Sequence, residues 1–409
     1  MTHDEQYYIL RFPYFINNVL KPESRKQRLK KERERAHDNP HTLNERSELL
    51  DPPFFYHPGE EWRRMRRGNI LKEEFSGISK DNLVDKLRGK IAEYEQDLEG
   101  ARIGLAFQDL KGTMNSFEIN GRRVGWSAST IKVPVMIGTM NAIEQQKLAL
   151  EEDLVVNHQL TLENYDPVSR MEPGRLVSAL DLIAYMILVS DNEATNMLAD
   201  KVGLENINRT IAELGAPQTM ISHLLARRDL YGKAVPRILT KWNKDGSNLT
   251  TAQDLTTLMA AIYSNSATKE AKYCNLMQRL LETRGDQGPL SGDLPSGTIV
   301  GAKLGFISDP EDGDDLLETA VINRDYAISI TCNRLHQKKR QTLPTKGRED
   351  LRSLFRTLDE FNQEHEDEEF YWEAQFTPQW HFPKTSPSAV ISTLSRVIYD
   401  IYYHGELKI

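Results

Sequence analysis

Strand-like alternation occurs at two widely separated places in this chain, and the fold has to join them. Near one end Ile103, Leu105 and Phe107 alternate with small or polar neighbours, and residues 116–119 offer a hairpin partner. Near the other, residues 298–304 read as a strand, and residues 319–322 and 327–332 flank the turn Asn323-Arg324-Asp325, a hairpin signal. The stretch between is helical. Ser178 with Asp181 makes a capping box for a helix through Leu182, Ile183, Met186 and Ile187. Gly203 ends a further helix, and residues 204–214 and 251–262 continue the pattern. Ahead of the first strand, Leu83, Leu87, Ile91, Tyr94 and Leu98 recur at helical spacing up to Gly100. The spacing predicts a mixed α/β (α+β) domain. An antiparallel sheet is built from both ends of the domain and flanked by helices, with an all-helical region inserted. A cleft between sheet and helices is the natural place for a site.

This unit spans residues 79–363 and closes with a helix carrying Leu351, Leu354, Phe355, Leu358 and Phe361. Two extensions flank it. Residues 1–78 are rich in Arg, Pro and aromatics, and from Lys21 to His37 eight Lys/Arg face three Glu. That stretch reads as a charged helix with a solvated face; binding of nucleic acid or an anionic surface is its sharper alternative. Residues 364–409 form a tail in which Val390, Leu394, Val397, Ile398 and Ile401 predict an amphipathic helix. Such a helix covers either this protein's own surface or a partner's.

With 39% hydrophobic and 27% charged residues, the chain has the composition of a soluble globular protein. A net charge of −8 argues against the whole molecule binding nucleic acid. Two cysteines make no disulfide framework. The ten histidines show no ligand spacing, so neither a metal nor a cofactor is called for. No apolar run reaches the length of a membrane span. The N-terminus lacks a basic segment and a small-residue cleavage site and does not read as a secretory signal.

Three short motifs carry chemistry. Ser129-Thr130-Ile131-Lys132 places a hydroxyl and an amine three residues apart on one helical face. Serine needs a neighbouring base to become a nucleophile, and a desolvated lysine can lose its charge and act as one. Ser190-Asp191-Asn192 interrupts an apolar helical stretch, and buried polar groups there either cap a helix junction or line a site. Lys303-Leu304-Gly305 ends a strand, where glycine admits close approach and lysine supplies positive charge.

In this order the three resemble the S-x-x-K, S-D-N and K-T-G set of the penicillin-recognising serine enzymes, the class A β-lactamases and penicillin-binding proteins. Residues 190–196 and 248–255 look like the class A branch. The resemblance covers about residues 79–363. It implies that Ser129 attacks a carbonyl and is acylated, and that Lys132 takes its proton. Ser190 passes a proton to the leaving nitrogen, and Asn192 holds the substrate amide and orients Lys132. Lys303 and Gly305 belong to the substrate-binding strand. The N–H groups of Ser129 and Phe306 form an oxyanion hole, each such donor being worth roughly 3–4 kcal/mol in the transition state.

Two positions depart from the family pattern. Leu304 stands where the family has Thr or Ser, removing a hydroxyl that would bind a substrate carboxylate. The family's water-activating glutamate has no counterpart, because no glutamate lies between Glu213 and Glu270. Asp229, between Arg228 and Leu230, is the one acid near the right place, and it reads either as a shorter base or as an arginine's ion-pair partner. The function expected is therefore a serine hydrolase that acylates Ser129 with a small-molecule or peptide amide or ester and turns β-lactams over inefficiently. The alternatives are a D-Ala-D-Ala peptidase or transpeptidase-like acyl enzyme, and a binding or scaffolding module that keeps the fold.

Overall fold

The structure, a computed structural model, describes residues 74–98, 100–156, 166–225, 247–284, 288–309, 313–335 and 387–408. The expected basic helix within 21–35, the helix carrying Leu351 to Phe361 and the acid Asp229 lie outside the described residues.

The chain enters through α1 (Leu83–Asp97) and reverses at Gly100, whose φ of +90° suits a residue without Cβ. It then runs into β1 (Arg102–Asp109) and β2 (Phe117–Ile119). At the other end come β7 (Val300–Asp309), β8 (Gly313–Ile322) and β9 (Tyr326–Leu335). The five make one sheet in the order β2-β1-β9-β8-β7, and every pairing is antiparallel. The two ends of the domain meet at β1 and β9, where Ile103 faces Cys332, Leu105 faces Ile330 and Phe107 faces Ile328. The turn at Asn323 and Arg324 takes left-handed φ values of 49° and 61°, which give a tight hairpin.

Each sheet face carries its own core. Ile103, Leu105, Phe107, Ile322, Ile328 and Ile330 point to one side, where α1 packs through Leu83, Leu87 and Ile91. The last helix, α8 (Pro387–His404), covers the same side, with Val390, Ile391, Leu394, Val397, Ile398 and Ile401 buried. Its apolar face is thus spent on this protein's own sheet. Ser395 Oγ donates to the Leu290 carbonyl at 2.7 Å and Tyr402 OH to Asp109 at 3.0 Å, which pins the helix at its middle and in its last turn.

The other face is lined by small residues, and α6 (Ala252–Tyr263) lies close against it. A Cβ on Gly104 would fall 2.8 Å from Thr331 Oγ1 and 3.1 Å from the Asn120 carbonyl oxygen, so glycine there keeps this part of the sheet free of a clash. Beyond α6 lies the helical region. It comprises α2 (Lys132–Glu144), α3 (Ala179–Leu188), α4 (Asn192–Val202), α5 (Leu204–Glu213) and α7 (Ala271–Arg284). Helix α2 is buried on all sides, including Val133, Val135, Met136, Ile137 and Met140, as a helix apolar all round must be. Ser178 caps α3 by accepting from Asp181 N, and Thr251 caps α6 by accepting from Asp254 N. The region also holds two short pairings: β4 (Asp153–Val155) with β5 (Leu176–Ser178), and β3 (Gly125–Trp126) with β6 (Leu249–Thr250). Among the described residues no helix is long and apolar enough to cross a membrane.

Edge strand β7 is pressed against the segment that leads into α2. A Cβ on Gly305 would sit 2.9 Å from Thr130 N and 3.0 Å from both Ser129 N and Ala128 Cβ, closer than such contacts allow. Because α8 forms much of one core, Leu394→Ala should destabilise the protein by about 2–5 kcal/mol. Urea denaturation followed by circular dichroism would read this as a lowered midpoint with an unchanged slope.

Candidate active site

Ser129 and Lys132 sit at the sheet–helix boundary. Residues Ala128–Ile131 form a 3-10 turn, and α2 begins at Lys132. Ala128 adopts φ +44°, an uncommon conformation for a residue with a Cβ, immediately before Ser129. The Lys132 side chain is fully buried. Its Nζ lies 3.1 Å from Ser129 Oγ, 2.9 Å from Ser190 Oγ and 2.8 Å from Asn192 Oδ1, and it also meets the Ser190 carbonyl. An ammonium has three protons and cannot serve four oxygens at once. A neutral amine has one lone pair for the Ser129 hydroxyl and two N–H donors to share among the Ser190 and Asn192 oxygens. Among the described residues, Lys132 is the hydrogen-bond partner of that hydroxyl.

The Ser190-Asp191-Asn192 segment joins α3 to α4. Ser190 takes φ +61°, which turns the chain sharply. Asp191 then caps α4, with Oδ1 accepting from Ala194 N at 2.8 Å. Its second oxygen accepts from Val168 N at 2.8 Å. Burial pushes the Asp191 carboxyl up to about 6, against the two N–H donors; nearby Asp166 adds to the rise and Lys132 opposes it. Asn192 is the first residue of α4, and its N–H donates to Asp166 Oδ2 at 2.7 Å.

Lys303 is buried on β7, and its Nζ donates to Ser190 Oγ at 3.1 Å and to the Leu304 carbonyl at 2.7 Å. The Ser190 hydroxyl therefore bridges two lysines, both lone pairs engaged and its proton available to another acceptor. Gly305 is the residue that lets β7 touch the Ser129 turn. Phe306 follows it on the strand with its side chain 56% exposed. Leu304 packs against the core on the α1–α8 side of the sheet. The structure thus brings together Ser129, Lys132, Ser190, Asn192, Lys303 and Gly305, with Phe306 adjoining; Asp229 lies outside the described residues.

Three asparagines hold the segment 221–225 beside this group: Asn196 and Asn248, which lie in the class A-like stretches, and Asn208, which carried no sequence signal. Asn208 exchanges two hydrogen bonds of 2.9 Å with Ile221. Asn248 Oδ1 accepts from Ser222 N and His223 N, and its Nδ2 donates to the His223 carbonyl. Asn196, one turn beyond Asn192 on α4, accepts from Leu225 N at 2.7 Å and donates to its carbonyl at 3.0 Å. The residue clamped one turn from Asn192 is thus a leucine, not an acid. Asp254 accepts from Gln218 N and Thr219 N and fixes the approach to this segment. Among the described residues no cluster of three or more His, Cys, Asp or Glu could hold a metal ion.

Known proteins resemble this arrangement. The β-lactamase BRO-1 of Moraxella catarrhalis is 26% identical over 295 residues, which is 66% of this chain and 87% of that protein. A class A β-lactamase structure from Bacteroides cellulosilyticus superposes with a TM-score of 0.56 at 16% identity, covering 80% of this chain and 99% of that one. A single-residue variant of PBP-A, solved as an acyl-enzyme complex with penicillin G, has a TM-score of 0.51 at 22% identity, covering 63% of this chain and 90% of its own. At these identities the two structures speak for the fold. The family itself is established by residues 86–346, which match the family described as the beta-lactamase enzyme family. With that match spanning most of the described domain, and an antiparallel sheet flanked by helices beneath it, this chain belongs to the beta-lactamase enzyme family.

Proposed function

We propose that the protein is a serine hydrolase that forms an acyl-enzyme on Ser129 from an amide or ester of a small molecule or peptide. The observation that carries this reading is the unbroken chain Ser129 Oγ–Lys132 Nζ–Ser190 Oγ–Lys303 Nζ, with links of 3.1, 2.9 and 3.1 Å. Ser129 Oγ attacks the carbonyl carbon while its proton passes to Lys132 Nζ. The oxyanion lies against the N–H groups of Ser129 and Phe306, which the close seating of Gly305 supports. Collapse breaks the bond to the leaving nitrogen or oxygen, which takes the Ser190 proton. Ser190 recovers a proton from Lys132. The proton of Ser129 has then travelled to the leaving group, and an ester remains on the enzyme.

Release of that ester needs water or another nucleophile. Leu225, a residue with no acid or base to offer, stands at the Asn196 clamp one turn from Asn192, which favours slow hydrolysis. The same observation favours the second reading, a peptidase or transpeptidase-like enzyme whose acyl group passes to an incoming amine. Leu304, turned into the far core, leaves no hydroxyl at that position for a substrate carboxylate.

Intact-mass spectrometry after exposure to a penicillin or a fluorophosphonate serine probe tests the reading. The expected result is a long-lived single adduct that disappears in Ser129→Ala. Absence of an adduct with every acylating probe would overturn the reading in favour of a binding module. Lys132→Met, which keeps the volume and removes the base, should slow adduct formation by about 10²–10⁴-fold. Gly305→Ala should slow it by about 10²-fold by displacing β7 from the Ser129 turn, measured by stopped-flow with a chromogenic β-lactam.

A further inference from the structure

Two carboxylates, Asp191 within the motif and Asp166 outside it, grip the Ser190–Asn192 junction. Asp166 Oδ2 accepts from Asn192 N at 2.7 Å. Asp191 Oδ2 accepts from Val168 N at 2.8 Å. Each acid therefore takes an N–H from the other's segment, and the two contacts form a reciprocal clasp. The partner segment is built for it. Pro167 has no N–H, so Val168 supplies the first donor after Asp166. A 3-10 turn, Val168–Arg170, follows, and Ser169 Oγ donates back to the Asp166 carbonyl at 2.7 Å. Val168 and Ser169 are buried.

Asn192 opens α4, so its N–H has no partner within the helix. Asp191 uses its own cap on Ala194 N. The contact that fixes the Asn192 backbone therefore comes from Asp166. The Asn192 side chain in turn accepts from Lys132 Nζ at 2.8 Å. We propose that Asp166 is a positioning residue for acylation, setting Asn192 through this clasp and, through Asn192, the Lys132 amine. The proposal rests on the acyl-enzyme reading above.

The choice of an acid at 166 supports a role beyond one hydrogen bond. An asparagine would accept the same N–H without repelling Asp191. The groups facing Asp191 are Asp166 from the turn, Lys132 from α2 and Tyr185 from α3, with Glu193 beside it on α4. Removing the Asp166 charge lowers the Asp191 carboxyl, so the ionised form that accepts both N–H groups persists to lower pH.

The test compares Asp166→Ala and Asp166→Asn with wild type in the full chain. Acylation by penicillin G and by a fluorophosphonate probe is followed from pH 5 to 9, with thermal melts alongside. Asp166→Ala should lower the maximal acylation rate by about 10–100-fold with little change in the concentration giving half that rate. Asp166→Asn should restore the rate to within about threefold and move the acid limb of the profile to lower pH. Rescue by asparagine reads function even if the alanine variant folds poorly. Acylation of wild type together with an unchanged rate in Asp166→Ala, or an unmoved acid limb in Asp166→Asn, would overturn this inference alone. A wild type that no probe acylates would overturn it together with the acyl-enzyme reading.

Discussion

An amine shut away from water at Lys132 is the constraint on which the rest of the site depends. Desolvating an ammonium is expensive unless oxygens replace the lost water. Here the oxygens come from Ser129, one turn before the lysine, and from Ser190 and Asn192 on another helix junction. Only Asn192 sits in regular secondary structure, at the first position of α4. Ser129 arrives on a 3-10 turn behind a left-handed alanine, and Ser190 on a left-handed turn of its own. Backbone strain at both places is held by the packing of β7 on one side and by the cap of α4 on the other. The lysine thus accounts for local geometry that side-chain propensities would not choose.

The architecture follows the same logic at larger scale. The sheet offers a straight edge at β7, and the helical region offers a junction at Ser190; the nucleophile turn is wedged between them. Helix α6 seats that region against the inner sheet face, where Thr256 Oγ1 bonds the Ala106 carbonyl at 3.2 Å and Ser329 Oγ at 2.8 Å. The outer face, covered by α1 and α8, does no chemistry, and there Leu304 points its side chain.

Much of this was legible in the residues. Alternation at Ile103, Leu105 and Phe107 and the Asn323–Asp325 turn foretold the sheet, and Ser178 and Gly203 marked helix ends that the structure reproduces. The order of the three motifs pointed to the residues that converge. What escaped had no periodic signal. Strands of two or three residues, such as β3 and β6, are too short to show alternation. The Asp166 contact joins residues on different elements through a single side chain, and the asparagine clamps on residues 221–225 use backbone groups that any sequence would supply. A positive φ at Ala128 or Ser190 is likewise invisible, because those residue types rarely adopt it.

The pairing of β1 with β9 also sets the order in which this molecule can be finished. β1 leaves the ribosome early, yet its long neighbour belongs to the last hairpin. The helical region, rich in local contacts, can condense first, whereas the sheet has to wait for strands that close a very long loop. Strand β7, which seats the Ser129 turn through Gly305, is part of that late arrival. A nascent chain that already holds serine, lysine and the α3–α4 junction therefore still lacks the strand that seats the Ser129 turn.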